Sequence, residues 1–93
     1  MLKGKYFRWN LEKNVQLQQQ RGIGFEMVVR AINEDKVLEV SLHPNQEKYT
    51  SQQIVIIELN NYVYLVPFVQ DGNEVFLKTI IPNRKMKKKY LGG

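Results

Sequence analysis

The stretch Gln53 to Ile81, QIVIIELNNYVYLVPFVQDGNEVFLKTII, decides the fold. It holds three runs rich in β-branched and aromatic residues, Gln53 to Leu59, Tyr62 to Val69 and Glu74 to Ile81, parted by Asn60-Asn61 and by the Asp71-Gly72 region. Asn, Asp and Gly tolerate the positive φ that a tight connection requires, so the runs read as consecutive strands joined by hairpins. Pro67 falls inside the middle run. A middle strand is hydrogen-bonded on both sides and proline has no N–H to give, so a bulge or local kink is expected there.

Upstream, Val37 to Leu42 adds a fourth strand to this antiparallel meander. At the N-terminal end, Lys5-Tyr6-Phe7-Arg8-Trp9 alternates and suits a short first strand, with Tyr6 and Arg8 on one face and Phe7 and Trp9 split from them. Asn10 can cap a helix over Leu11 to Gln20, on which Leu11 and Val15 share a face. That helix should stop at Arg21-Gly22, with Ile23 folding back against its last turn. Phe25, Val28, Val29 and Ile32 then follow the i, i+3, i+4, i+7 spacing of a buried helical stripe, flanked by Met27 and Ala31, while Glu26, Arg30 and Asn33 point away. Gly24 is a weak cap for it. Beyond Pro82 one or two helical turns run to Leu91-Gly92-Gly93, with Met86 and Tyr90 spaced to pack inward and the lysines facing water. These elements define an α+β class: an N-terminal strand and two helices packed on a four-stranded, mainly antiparallel meander sheet, with a short C-terminal helix.

Ninety-three residues fit a single domain, 1–93, and the 43% hydrophobic, 25% charged composition is that of an ordinary globular chain. Cysteine is absent, which removes disulfides and thiolate metal sites and points to a reducing cytoplasm. The longest nearly apolar run, Tyr62 to Val69, is far shorter than the roughly 20 residues a helical span needs, and polar residues follow the N-terminal cations where a signal peptide would be apolar, so neither a membrane span nor export is expected. Fourteen Lys plus Arg against nine Asp plus Glu leave a net charge of +5, a balance that favours polyanions or an acidic protein partner. Arg84, Lys85, Lys87, Lys88 and Lys89 concentrate that charge near the C-terminus. Walker loops, dinucleotide fingerprints and Ser-His-Asp signatures are missing, which leaves the classes they announce without support.

Two separated motifs stand out. The first joins Phe7-x-Trp9-Asn10 to Lys13-Asn14 and then to Arg21-Gly22-Ile23 before Phe25-Glu26. The second is Leu77-Lys78-Thr79-Ile80-Ile81 running into Asn83-Arg84. In this order they resemble the BrnT family of bacterial toxins, the second being similar to that family's strand end. Asn10 stands where the family usually has Asp, Gln20-Arg21 where Lys-His is common, and the tail after Arg84 lacks the usual Glu. The resemblance implies a RelE-like fold, a type II toxin whose endoribonuclease activity halts translation, and neutralisation in a hetero-oligomer by a cognate, DNA-binding antitoxin. No cofactor or metal is expected.

Metal-free RNA cleavage uses the RNA's own 2′-hydroxyl as nucleophile, so the protein must remove its proton, stabilise charge on the phosphate and protonate the leaving oxygen. His43 or Glu47, in the polar segment His43 to Tyr49, suits the first task, although His43 also reads as an exposed turn residue. Arg84 offers the planar donor fork that suits a phosphate, or alternatively a salt bridge to Glu26. Lys78 is a lone cation in an apolar strand and suits phosphate stabilisation or edge protection. Lys13 and Arg21 occupy motif positions and Lys85 and Lys88 belong to the C-terminal run, so all four are candidate RNA contacts, as they are candidate solvated surface charges. Tyr49, Tyr62, Tyr64 and Tyr90 are candidate base-stacking residues, although Tyr62 and Tyr64 share a strand face that a core would use equally. A basic module that binds RNA or protein without cleaving it, and a degenerate toxin that binds only its antitoxin, are the competing readings.

Overall fold

In the computed structural model, which describes residues 2–92, the chain runs β1 (Tyr6–Arg8), α1 (Leu11–Arg21), α2 (Phe25–Asn33), β2 (Val37–Leu42), β3 (Gln53–Leu59), β4 (Tyr62–Asp71), β5 (Glu74–Leu77), β6 (Ile81–Pro82) and α3 (Arg84–Leu91). The sheet is ordered β1-β5-β4-β3-β2, with β6 also pairing β4. The α+β class holds, but the sheet is mixed and has more strands than the four-stranded meander expected from sequence. The short first strand lies in the sheet, parallel to β5 through Tyr6↔Glu74, Phe7↔Val75 and Arg8↔Phe76. In addition, the expected strand from Glu74 to Ile81 is broken into β5 and β6.

Pro67 accounts for the break. Its carbonyl accepts from the Lys78 N–H at 2.8 Å, so it faces the β5 side. A strand residue directs its N–H and C=O to the same side, and the missing proline donor therefore faces Lys78 as well. The return bond to the Lys78 carbonyl is impossible and the ladder stops. Between the pairs Phe68↔Leu77 and Leu65↔Ile81, β4 advances three residues and its partner four, a bulge of one residue spread over Lys78-Thr79-Ile80. On its other side Pro67 opposes Ile54 without losing a bond, which is how proline survives in a central strand.

Tight turns fall where the composition places them. Asn60 and Asn61 both adopt positive φ, 52° and 62°, in the β3–β4 hairpin, and Gly72, at 60°, turns β4 into β5.

Alternation along the strands builds two cores. Val55, Ile57, Tyr64, Val66, Phe68, Val75 and Leu77 face α1 and α2 and pack with Leu17, Phe25, Val28 and Ile32. Ile54, Ile56 and Val63 face the other way, where Met86, Tyr90 and Leu91 of α3 cover them together with Leu38 and Leu65. Burying each of the larger apolar side chains stabilises the fold by roughly 1.5–3 kcal/mol.

The helix ends carry their own accounts. Asn10 caps α1 by accepting from the Lys13 N–H at 2.9 Å, and Gly22 ends it in the left-handed conformation with φ 68°. Leu11 and Val15 do share a face, but it looks to solvent; Asn14 and Leu17 supply the buried one. Gly24 provides no side-chain cap for α2, and Asn14 substitutes for it from α1, its Oδ1 accepting from the Phe25 N–H at 2.7 Å while its Nδ2 donates to both Glu26 oxygens at 3.0 Å. A Cβ on Gly24 would meet Asn14 Oδ1 at 2.9 Å and Gln18 Nε2 at 2.7 Å, so glycine makes room for this arrangement. Among the described residues no helix is long and apolar enough to cross a membrane.

Candidate nucleic-acid interface

Beyond β5 the bulged stretch from Lys78 to Arg84, whose β6 pairs β4, forms an edge that carries Lys78 and Arg84 and lies beside Lys13 and Arg21 of α1. Where β1 ends, α1 begins beside the Lys78-Thr79 bulge, and a shallow groove of about 470 Å³ forms there, lined by Asn10, Glu12, Lys13, Gln16, Lys78 and Thr79. Lys78 is exposed, Lys13 is half-buried, and neither is in a salt bridge among the described residues, where the ion pairs are Lys3–Asp35 and Arg8–Glu74. Lys78 Nζ lies 5.5 Å from the Phe76 ring centre, a cation resting on an aromatic face.

Further along the same edge, Arg21 donates a 2.7 Å bond to the Ile80 carbonyl. Arg21 is therefore committed to joining the end of α1 to the bulge, a role its motif position did not reveal. It also lies near Tyr64, whose hydroxyl pKa is raised above 10.0 by burial first and by Tyr62 second, with Arg21 opposing both. Tyr62 and Tyr64 pack at 5.5 Å between ring centres, and Lys87 Nζ lies 5.7 Å from the Tyr62 ring.

Arg84 opens α3, which Asn83 caps by accepting from the Met86 N–H at 2.9 Å. The Asn83 N–H bonds to Val63. Lys78 sits opposite Pro67, so the backbone of Lys78 and that of Asn83, which Arg84 follows, are separated by four residues of β4, about 13 Å at roughly 3.3 Å per residue. Glu26 is taken by Asn14, and no Arg84–Glu26 salt bridge forms. Arg84, Lys85 and Lys88 are exposed.

His43, Glu47 and Tyr49 group elsewhere. The His43 and Tyr49 rings pack at 4.3 Å and His43 Nδ1 accepts from the Asn45 N–H at 3.1 Å, within the β2–β3 connection. The row Lys78, Pro67, Ile54, Ser41 crosses the sheet, so this loop lies about three strand spacings from Lys78, or about 14 Å. It also sits at the end of β3 opposite to the end nearest Arg84. The structure thus brings Lys13 and Lys78 into one groove and strings Arg21 and Arg84 along the same edge, but sets His43, Glu47 and Tyr49 apart.

Three residues that the sequence did not single out belong to this surface. Glu12 places a carboxylate in the Lys13–Lys78 groove. Arg8 and Phe76 stand side by side on the sheet face that α3 leaves open. A usable signal was helix length: the eight residues of α3 span about 12 Å, enough to cover two or three strands and no more.

Comparison of the chain with protein-family models, with curated proteins and with solved structures finds no match in any of the three.

Proposed function

We propose that this chain is an RNA-acting toxin component, a metal-independent endoribonuclease that grips single-stranded RNA along the edge from Lys78 to Arg84 and stops translation in the cytoplasm until a DNA-binding antitoxin covers that edge. The observation that supports it best is the groove shared by Glu12, Lys13, Lys78 and Thr79, with Arg84 further along the same edge. The toxin class and the RelE-like form of the fold come from the motif resemblance.

The groove has the chemical parts that cleavage by a 2′-hydroxyl needs. Glu12 accepts the 2′-hydroxyl proton, the 2′-oxygen attacks the adjacent phosphorus, and the 5′-oxygen leaves with a proton from a lysine ammonium. Lys13 and Lys78 stabilise the charge that builds on the phosphate, and Arg84 holds a neighbouring phosphate in register. His43 and Glu47, across the sheet, take no part in this scheme.

The placement of His43 and Glu47 favours a second reading, in which the same edge binds RNA without cutting it. Incubation of the purified chain with end-labelled single-stranded RNA in a chelator separates the two. The toxin reading gives shortened product, lost in Glu12→Gln and Lys78→Gln while binding by Glu12→Gln persists; salt-sensitive binding with intact RNA gives the second reading.

A further inference from the structure

The open half of the sheet forms three cross-strand rows. Lys78 opposes Pro67 beside the Lys13 groove; Val69, Phe76 and Arg8 form the next row; Asp71, Glu74 and Tyr6 form the third. Rows on one face repeat about every 7 Å. Phe76 is 37% exposed and Tyr6 73% exposed, although the neighbouring Val75 and Leu77 are fully buried. An aromatic ring left in water on a sheet, with a cation at one side and carboxylates at the other, is chemically asymmetric. A hollow of about 240 Å³ lies over it, lined by Arg8, Val69, Gln70, Asp71, Glu74 and Phe76.

We propose that this half-face is a nucleobase subsite for unpaired RNA that selects bases carrying an exocyclic amino group. This inference rests on the RNA reading of the adjacent edge and assigns that edge its base preference. Lys78 Nζ, which rests 5.5 Å from the Phe76 ring centre, swings off the ring to take the phosphate; the base replaces it on Phe76, with Arg8 alongside; and its amino edge points to the third row, where the Glu74 carboxylate accepts. The Arg8–Glu74 ion pair, 3.5 Å long and exposed on both sides, holds the carboxylate in place without consuming it. Cytosine presents an amino donor to such an acceptor. Uracil has its one ring donor between two carbonyls, which a carboxylate repels. An acidic protein segment fits less well, because Asp71 and Glu74 would repel it.

The test uses oligocytidylate and oligouridylate of equal length, 2′-O-methylated so that the 2′-oxygen cannot attack, with affinities read by fluorescence anisotropy. The single tryptophan, Trp9, packed on Phe25 at 5.7 Å, reports that each variant is folded. Wild type should prefer oligocytidylate by about fivefold, the worth of a modest net hydrogen bond. Phe76→Leu should weaken both ligands about tenfold while Phe76→Tyr retains them, and Glu74→Ala should erase the preference. Equal affinity for the two oligonucleotides, or unimpaired binding by folded Phe76→Leu, would overturn the subsite; continued weakening by Lys13→Gln with Lys78→Gln would leave the RNA reading standing. Polyglutamate competing as well as either oligonucleotide would assign the face to an acidic protein and overturn the proposal. No salt-sensitive binding of either oligonucleotide would remove the RNA reading itself.

Discussion

The Arg21 guanidinium donates a 2.7 Å hydrogen bond to the Ile80 carbonyl, tying the last turn of α1 to the bulge that Pro67 imposes on the sheet. The bond is partly buried and charge-assisted, so removing the donor leaves a carbonyl without its partner. Arg21→Gln should destabilise the protein by about 1–3 kcal/mol and lower the melting temperature by about 5 °C or more, while RNA affinity falls less than it does for Lys78→Gln. Thermal unfolding followed by circular dichroism, beside anisotropy, makes the comparison. Unchanged stability with strongly reduced binding would instead make Arg21 a phosphate contact.

Asn14, a buried polar residue, starts α2 from a neighbouring helix. Asn14→Ala strands the Phe25 N–H and should cost about 1–3 kcal/mol. Gly24→Ala pushes a methyl group into the same Asn14 oxygen and should cost a similar amount. The double variant should lose less than the sum of the two, because both break one arrangement. Strict additivity in denaturant titrations would show that the cap and the glycine act separately.

Tyr90 donates its hydroxyl to Glu39 and so fastens α3 to β2. That bond, with burial and the Glu39 charge adding to it, raises the phenol pKa above 10.0. The neutral phenol is the form the fold prefers, so its stabilisation is full below pH 10 and is lost as pH rises through the raised value. Far-ultraviolet circular dichroism between pH 9 and pH 12, a range chosen to bracket roughly the tyrosine pKa, should show loss of α3 helicity in wild type. Tyr90→Phe should be weaker at neutral pH and should lack this alkaline step. An identical alkaline profile in the variant would remove Tyr90 from the account.

Chemistry on the RNA should map to one edge. His43→Ala and Glu47→Gln should leave cleavage within about twofold, whereas Glu12→Gln should lower it about 10²-fold or more, the usual scale for loss of a general base. Gel analysis of end-labelled product compares them directly. A large loss in His43→Ala with Glu12→Gln active would move the reaction centre to the β2–β3 loop.

Local chemistry made much of this architecture legible in sequence. Asn60-Asn61 and the Asp71-Gly72 region announced their turns, Asn10 and Gly22 bounded α1, and Pro67 announced a defect in β4. Partnership was harder to read. Nothing in Tyr6-Phe7-Arg8 tells that its three residues pair in parallel with residues near position 75, because the pairing is set by a long chain excursion through both helices. The solvent-facing side of Leu11 and Val15 was hidden for a related reason: Asn14, polar by type, holds the buried position by capping another helix. At the candidate site, motif positions located Lys13, Lys78, Arg21 and Arg84, but only the bulge shows that these residues share an edge. His43 stood out as the single histidine, yet its loop closes on Tyr49 at the far side of the sheet.

The most direct test of the central claim is the salt dependence of binding to a short, 2′-O-methylated single strand, compared between wild type and the triple variant Lys13→Gln, Lys78→Gln, Arg84→Gln. Each phosphate contact on a single strand contributes about −0.7 to the slope of log K against log salt. Wild type should therefore show a slope of about −2 or steeper, and the triple variant should lose about 2 units of it while remaining folded. Equal slopes and equal affinities would contradict the assignment of the edge from Lys78 to Arg84 as the RNA-binding surface.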